Sequence, residues 1–176
     1  MERLREHKLY LRHDKCEFEK TRIEYLGVII SHNCVEMDPI KIAGVVEWLV
    51  PTSKKEVQSF MGFTNFYRRF IFNFSHHVRP LFDLTKKDVR FTWGNCEQDA
   101  FDWLKELVTL APVLALPDNE RPYCIEADGS RVATGAVLSQ LLPEDDKWHP
   151  VAFLSKSLSA VKRNYKIHDM EMLVIV

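Results

Sequence analysis

Residues 123–155 read YCIEADGSRVATGAVLSQLLPEDDKWHPVAFLS, and this stretch decides the fold class. It opens with Tyr123-Cys-Ile-Glu-Ala-Asp128, a β-favouring run that ends on a carboxylate, and the turn formers Gly129-Ser130 follow. Residues 133–141 are a second such run and residues 150–154 a third. Between them lies a polar loop, 142–147, holding Pro143 and the acidic Glu144-Asp-Asp146, which reads as a solvated turn. Three β-favouring runs in succession, joined by short turns, predict an antiparallel meander. A last helix is expected from about Ile167. It is still apolar at Leu173-Val-Ile-Val176, with neither a glycine nor a basic last turn, the pattern of a helix cut in mid-course and hence of a fragment.

The chain before this stretch has a helical period. Asn95 with Gln98 starts a helix whose buried stripe is Ala100, Phe101, Leu104, Leu107 and Val108, and Pro112 ends it. Residues 71–93 are rich in aromatics and read as irregular. Ser53-Lys-Lys-Glu56 is a capping box. Val57, Phe60, Met61, Thr64 and Tyr67 follow at helical spacing to an end near Phe70, with Arg68 and Arg69 in the last turn. Asp38-Pro39 opens another helix, with Ile42, Val45, Val46 and Leu49 on one face and Pro51 as its stop. Glu24-Tyr-Leu-Gly-Val-Ile-Ile30 reads as one strand, and Ser31-His-Asn-Cys34 as the hairpin turn into a second strand at residues 35–37. Leu4, Leu9 and Leu11 predict a short helix over 4–11. The fold class is α/β in the α+β sense, a hairpin and helices followed by a three-stranded antiparallel meander with one helix.

Composition sets the outer bounds. The chain has 176 residues, 46% hydrophobic and 28% charged, a globular balance that excludes extensive disorder. No run approaches the roughly 18 apolar residues that a membrane span needs. The charged start, Met1-Glu-Arg-Leu-Arg-Glu-His-Lys8, lacks a signal core, so the chain is expected to be intracellular and not secreted. Cys16, Cys34, Cys96 and Cys124 form no CxxC pair, which points to reduced thiols and away from structural zinc. The net charge of −1 hides a split. Residues 1–90 hold 16 Lys and Arg against 12 Asp and Glu, and residues 91–176 hold 8 against 13. A basic half suits phosphate contact and an acidic half a metal.

Few residues carry chemistry. Asp128 ends a strand, and Glu171 stands among Met170, Met172 and Leu173. If the two elements pack, their carboxylates converge, and a divalent cation relieves the repulsion. The plainer alternative has Asp128 capping its turn and Glu171 facing water. Tyr25-Leu26-Gly27 offers a close backbone approach or a bulge. Asn65-Phe-Tyr-Arg-Arg69 mixes aromatics and arginines as nucleic-acid grips do, although Phe66, Tyr67 and Phe70 equally suit a core. His76-His77 and His149 read as loop residues. There is no glycine-rich phosphate loop, HExxH or GxSxG.

An ordered series of short motifs carries a resemblance. Lys15-Cys-Glu-Phe18, Glu24-Tyr-Leu-Gly27, Ser59-Phe-Met-Gly62 and Asn65-Phe-Tyr-Arg-Arg-Phe-Ile71 come first. Ala111-Pro-Val-Leu114, Glu126-Ala-Asp-Gly-Ser130, Gly135-Ala-Val-Leu-Ser-Gln140 and His149-Pro-Val-Ala-Phe-Leu-Ser155 follow, and Asn164-Tyr165 and Glu171-Met-Leu173 complete the set. Over nearly its whole length the chain resembles the Pol polyprotein of gypsy-class long-terminal-repeat retrotransposons, where reverse transcriptase runs into ribonuclease H.

The resemblance implies a division of the chain. Residues 1–37 would end the polymerase palm, with Tyr25, Leu26 and Gly27 in its primer grip. Residues 38–80 would be the helical thumb, with Asn65, Tyr67, Arg68 and Arg69 near nucleic acid. Residues 81–121 would be a connection, and residues 122–176 the start of ribonuclease H. It further implies Asp128 and Glu171 as the first two carboxylates of a two-metal site using Mg²⁺ or Mn²⁺. The implied partners are an RNA–DNA hybrid or template–primer duplex and the rest of the Pol polyprotein, with no membrane. In the commoner family pattern Ala127 is Thr and Gly129 is Ala. The polymerase signature Tyr-x-Asp-Asp and two later carboxylates are not in this sequence, so the chain alone is expected to catalyse neither reaction. Two other expectations are a non-catalytic nucleic-acid-binding module and a genomic relic without selected function.

Overall fold

The computed structural model of the protein describes residues 2–159 and 161–175. After a short helix, α1 (Glu2–Glu6), come strands β1 (Arg22–Tyr25), β2 (Val28–Ser31) and β3 (Cys34–Met37). The expected helix over 4–11 stops early, and Leu9 and Leu11 are exposed, because no apolar surface lies against them. The single strand expected over 24–30 is also corrected. The run folds back on itself, with Tyr25 pairing Val28 across a two-residue turn. Leu26 (φ 50°) and Gly27 (φ 80°) both take left-handed backbone, as the tight turn of a right-twisted hairpin requires. A glycine does this freely, whereas a leucine is strained there. The second turn, at His32 and Asn33, returns β3 along β2, and β4 (Leu114–Ala115) then completes a four-stranded sheet in the order β1-β2-β3-β4.

The helices start where their caps dictate. In α2 (Pro39–Val46) the Asp38 carboxylate accepts from the Ile40 N–H at 2.9 Å. In α3 (Lys54–Phe66) the Ser53 hydroxyl accepts from the Glu56 N–H at 3.4 Å, while the Glu56 carboxylate reaches back to the Thr52 N–H at 2.8 Å. These bonds hold the Glu56 carboxyl below the usual range, Thr52 first. α3 ends at Phe66 and not near Phe70, because the Tyr67 N–H tightens onto the Thr64 carbonyl and Arg68–Phe70 form a 3₁₀ turn.

The expected irregular stretch 71–93 contains two short helices, α4 (Phe74–His77) and α5 (Arg79–Leu84), so His76 and His77 are helical. Each helix is too short to show a period, and burial of Phe74, Leu81 and Leu84 holds both. α6 (Asn95–Thr109) has Gly94 at its cap in place of Asn95. Glu97 accepts from the Gly94 N–H at 3.0 Å, and Gln98 accepts from the Trp93 indole at 2.8 Å. Val45, Val57, Phe60, Leu81, Phe101 and Leu104 are wholly buried, and the rings of Phe60 and Phe101 lie 4.6 Å apart. Burying one such side chain is worth about 1.5–3 kcal/mol. This core draws on every helix from α2 to α6.

The meander forms as the opening stretch predicts, with β5 (Tyr123–Gly129), β6 (Ala133–Leu142) and β7 (Lys147–Ser157) antiparallel in that order. β7 is longer than expected and takes in His149, which pairs with Gln140 and meets the Asp145 carboxylate at 2.9 Å. The His149 contact holds Asp145 below the usual carboxylate range. Glu144, Asp145 and Asp146 are exposed, as a solvated turn should be. Helix α7 (Ile167–Ile175) lies on β5.

Polar contacts tie the sheet to the helices. The buried Ser155 hydroxyl accepts from the Ser75 N–H at 2.9 Å, and its carbonyl accepts from the Arg68 guanidinium. Asn73, in left-handed backbone (φ 51°), lays its carboxamide over Gly135 so closely that a methyl group there would overlap Asn73 Oδ1. Phe72 and Phe153 meet edge-on at 6.1 Å.

Candidate nucleic-acid interface and carboxylate pair

The β1–β2 turn juts beside the end of α3. Tyr25 and Leu26 are exposed, Leu26 at 73%. The Gly27 carbonyl accepts from the Tyr67 hydroxyl at 3.1 Å, and it is the left-handed backbone of Gly27, not crowding at its Cβ position, that calls for glycine in this turn. Burial, then Asp38 and Glu24, push the Tyr67 phenol upward, so it remains a neutral donor.

The Asn65–Arg69 group divides in two. Tyr67 is buried, and Arg68 is turned inward, with its guanidinium 5.8 Å from the Phe74 ring centre and bonded to Ser155. Asn65 and Arg69 face solvent. Arg69 lies 5.2 Å over the Phe70 ring and has no acidic partner among the described residues.

Sequence reasoning passed over the surface beside them. Leu26, Gly27, Lys41, Gly62, Phe63 and Phe66 line an open groove between the turn and α3. Nothing lies within 4 Å of where a Gly62 side chain would be, and Phe66 is 50% exposed. A glycine inside a helical pattern costs about 1 kcal/mol against alanine, an anomaly that asks for a reason. That was the available signal.

Asp128 sits near the end of β5, exposed, with Oδ1 accepting from the Gly129 N–H at 2.8 Å. Glu171 is exposed on α7. A Cβ on Gly129 would stand 2.6 Å from Val174 Cγ2 and 3.9 Å from the Met170 carbonyl. The turn of α7 that carries Glu171 therefore seats on the strand end that carries Asp128, and the absence of a side chain at Gly129 permits it. Two carboxylate groups are of the hard-oxygen type that Mg²⁺ and Mn²⁺ take. Among the described residues no three His, Cys, Asp or Glu side chains stand close enough to hold a metal. Nor is any helix among them long and apolar enough to cross a membrane.

Residues 93–176 match the model of the RNase H-like domain found in reverse transcriptase. The retrovirus-related Pol polyprotein from transposon 297 of Drosophila melanogaster is 37% identical over 169 residues, covering 96% of this chain and 15% of that protein. The transposon Tf2-3 polyprotein of Schizosaccharomyces pombe is 35% identical over 176 residues, covering 100% of this chain and 13% of its own length. The chain thus spans under a sixth of each relative. Among solved structures, the foamy viral protease-reverse transcriptase in complex with an RNA/DNA hybrid superposes with a TM-score of 0.78 at 20% identity, over 92% of this chain and 22% of that one. The same viral protein in its dRH form with double-stranded DNA gives a TM-score of 0.76 at 20% identity, over 89% and 27%. The order of helices and antiparallel sheets seen here is therefore that of a known reverse-transcriptase region, and the chain belongs to the retrotransposon Pol polyproteins, in the stretch that carries their RNase H-like domain.

Proposed function

We propose that this stretch of Pol grips a template–primer duplex or RNA–DNA hybrid and presents it to a metal-dependent ribonuclease H site. On this reading residues 1–37 end the palm, 38–80 are the thumb, 81–121 the connection and 122–176 the start of ribonuclease H. The remaining Pol polyprotein is the partner that completes both sites. Copying of RNA into DNA and cleavage of the RNA strand belong to that whole.

The observation that carries the reading is the groove floored by Gly62. Its wall, Phe66, is a flat apolar face that stacks on sugars or bases, and Lys41 supplies a cation. Tyr25 and Leu26 contact the primer end from the turn, and Gly27 with Tyr67 sets the height of that turn. Asn65 and Arg69 meet phosphates, while Arg68 fixes the segment that bears them.

Asp128 and Glu171 are the residues that would hold the divalent cations. The chemistry such cations bring when bound is activation of water and stabilisation of the leaving oxygen. Mg²⁺ demands near-ideal octahedral geometry, and two carboxylates leave most positions to water and substrate phosphates. The resemblance calls for two further carboxylates, so on this reading the chain alone binds duplex without cleaving it. This also supports the second reading, a binding module without chemistry.

The test is binding of a fluorescent RNA–DNA hybrid across a salt series. Affinity should fall with salt, and Arg69→Gln should reduce the log–log slope by about 0.9, one phosphate's share. No binding at about 50 mM salt, where phosphate contacts are strongest, would overturn the reading. Mg²⁺-dependent cleavage by this chain that disappears in Asp128→Asn would overturn its inactivity.

A further inference from the structure

A second cavity lies across Leu26 and Phe66 from the duplex groove. Its volume is about 500 Å³, within the range of about 300–1,000 Å³ that drug-sized ligands fill. Leu26, Phe66, Leu114, Val151 and Ala152 are among its walls, so it draws on the hairpin turn, α3, β4 and the far sheet at once.

Two backbone irregularities build it. Val151 and Ala152 are consecutive on β7, and in a regular strand they would face opposite sides of the sheet. Here Leu138 pairs with Ala152 and Ser139 with Pro150, leaving Val151 as the extra residue of a β-bulge, and the bulge brings both into one wall. Pro150, which cannot donate to a ladder, sits at the same irregularity. Leu26, in its left-handed conformation, lines the same cavity. A strained leucine and a bulge converging on one apolar hollow are the marks of a shaped site.

The charge of the cavity selects its occupant. Arg69 is the one ionisable cation in the lining, no carboxylate lines the cavity, and Arg69 has no acidic partner among the described residues. Apolar walls with one free guanidinium fit a flat apolar body bearing a single anionic group. We infer that this cavity is a binding site for a small aromatic anion, an aryl sulfonate or carboxylate, with its rings against Val151, Ala152 and Leu114 and its anionic group on Arg69.

The test needs no nucleic acid, so its outcome is independent of the duplex reading. The chain is titrated with 8-anilinonaphthalene-1-sulfonate and, separately, with N-phenyl-1-naphthylamine, which has the same rings without the sulfonate. Saturable one-to-one binding of the sulfonate is expected. Val151→Trp should fill the cavity and abolish it. Ala152→Leu, a smaller filling, serves if the tryptophan variant does not fold by circular dichroism, and should weaken binding of both dyes. Arg69→Gln should weaken the sulfonate about tenfold, the share of one charge-assisted bond, and leave the neutral dye unchanged. Undiminished binding in the filled variants, or equal weakening of both dyes in Arg69→Gln, would overturn the assignment.

Discussion

The helical region and the three-stranded sheet are built on opposite terms. From α2 to α6, Phe60, Leu81, Phe101 and Leu104 are wholly buried, and the rings of Phe60, Trp93 and Phe101 interlock. In the sheet, β5 is exposed along nearly its whole length, and Ile125 stands at 69%. The few buried residues of the sheet region, Ala133, Gly135, Ser139, Gln140, Ser155 and Leu158, are small or polar apart from Leu158. Its order comes from hydrogen bonds: the fully buried Gln140 amide clamps the 118–121 loop by accepting from the Asp118 N–H at 2.9 Å and donating to its carbonyl at 2.7 Å. The helical region supplies apolar stability. The sheet, with Asp128 and Glu171, holds candidate chemistry on a frame that leans on its neighbour. Residues freed from core duty are free to face a substrate.

Deleting core volume should break this contrast most severely. Phe101→Ala is expected to cost about 3–5 kcal/mol in urea unfolding, whereas Ile125→Ala on β5 should stay within about 0.5 kcal/mol. Comparable losses at the two sites would mean that the sheet carries a core of its own.

The joint should respond next. Gly135→Ala pushes against the Asn73 carboxamide and should cost about 1–3 kcal/mol, and a second change, Asn73→Gly, should restore most of it, since glycine keeps the left-handed backbone. Additive losses in the double variant would disprove the contact. Ser155→Ala leaves the Ser75 N–H without its acceptor and should cost about 1 kcal/mol, read by faster amide exchange at Ser75.

The smallest effect is one of pH. His77 stacks on Trp103, and burial, aided by His76, lowers its pKa to about 4 from an ordinary 6.5. The unfolded chain takes up this proton first as pH falls. Stability from this group is therefore complete above pH 6.5 and is lost as pH falls toward 4. His77→Phe should keep the stack and flatten the melting temperature across that window. An unchanged slope would place the acid sensitivity elsewhere.

Legibility followed the range of the forces. Asp38-Pro39 and the Ser53 cap act within four residues, and their helices begin where those residues say. The meander from 123 to 157 also follows its local pattern. The turn at Leu26 was hidden, because a leucine rarely takes left-handed backbone and the flanking residues suit one long strand. α4 and α5 were hidden because four to six residues hold no period. Gly62 was visible as an anomaly, but its open face was not.

By itself, then, the sequence determined the fold class, the caps, the meander and, through its ordered motifs, the Pol family. Those rest on short-range propensities and on residue identity. The tertiary structure alone decided that Arg68 is bonded to Ser155 while Arg69 has no acidic partner among the described residues, that α7 seats on Gly129, and that Val151 and Leu26 line one cavity. Each of these depends on residues far apart in the chain, and their distance in space is set only when the core closes.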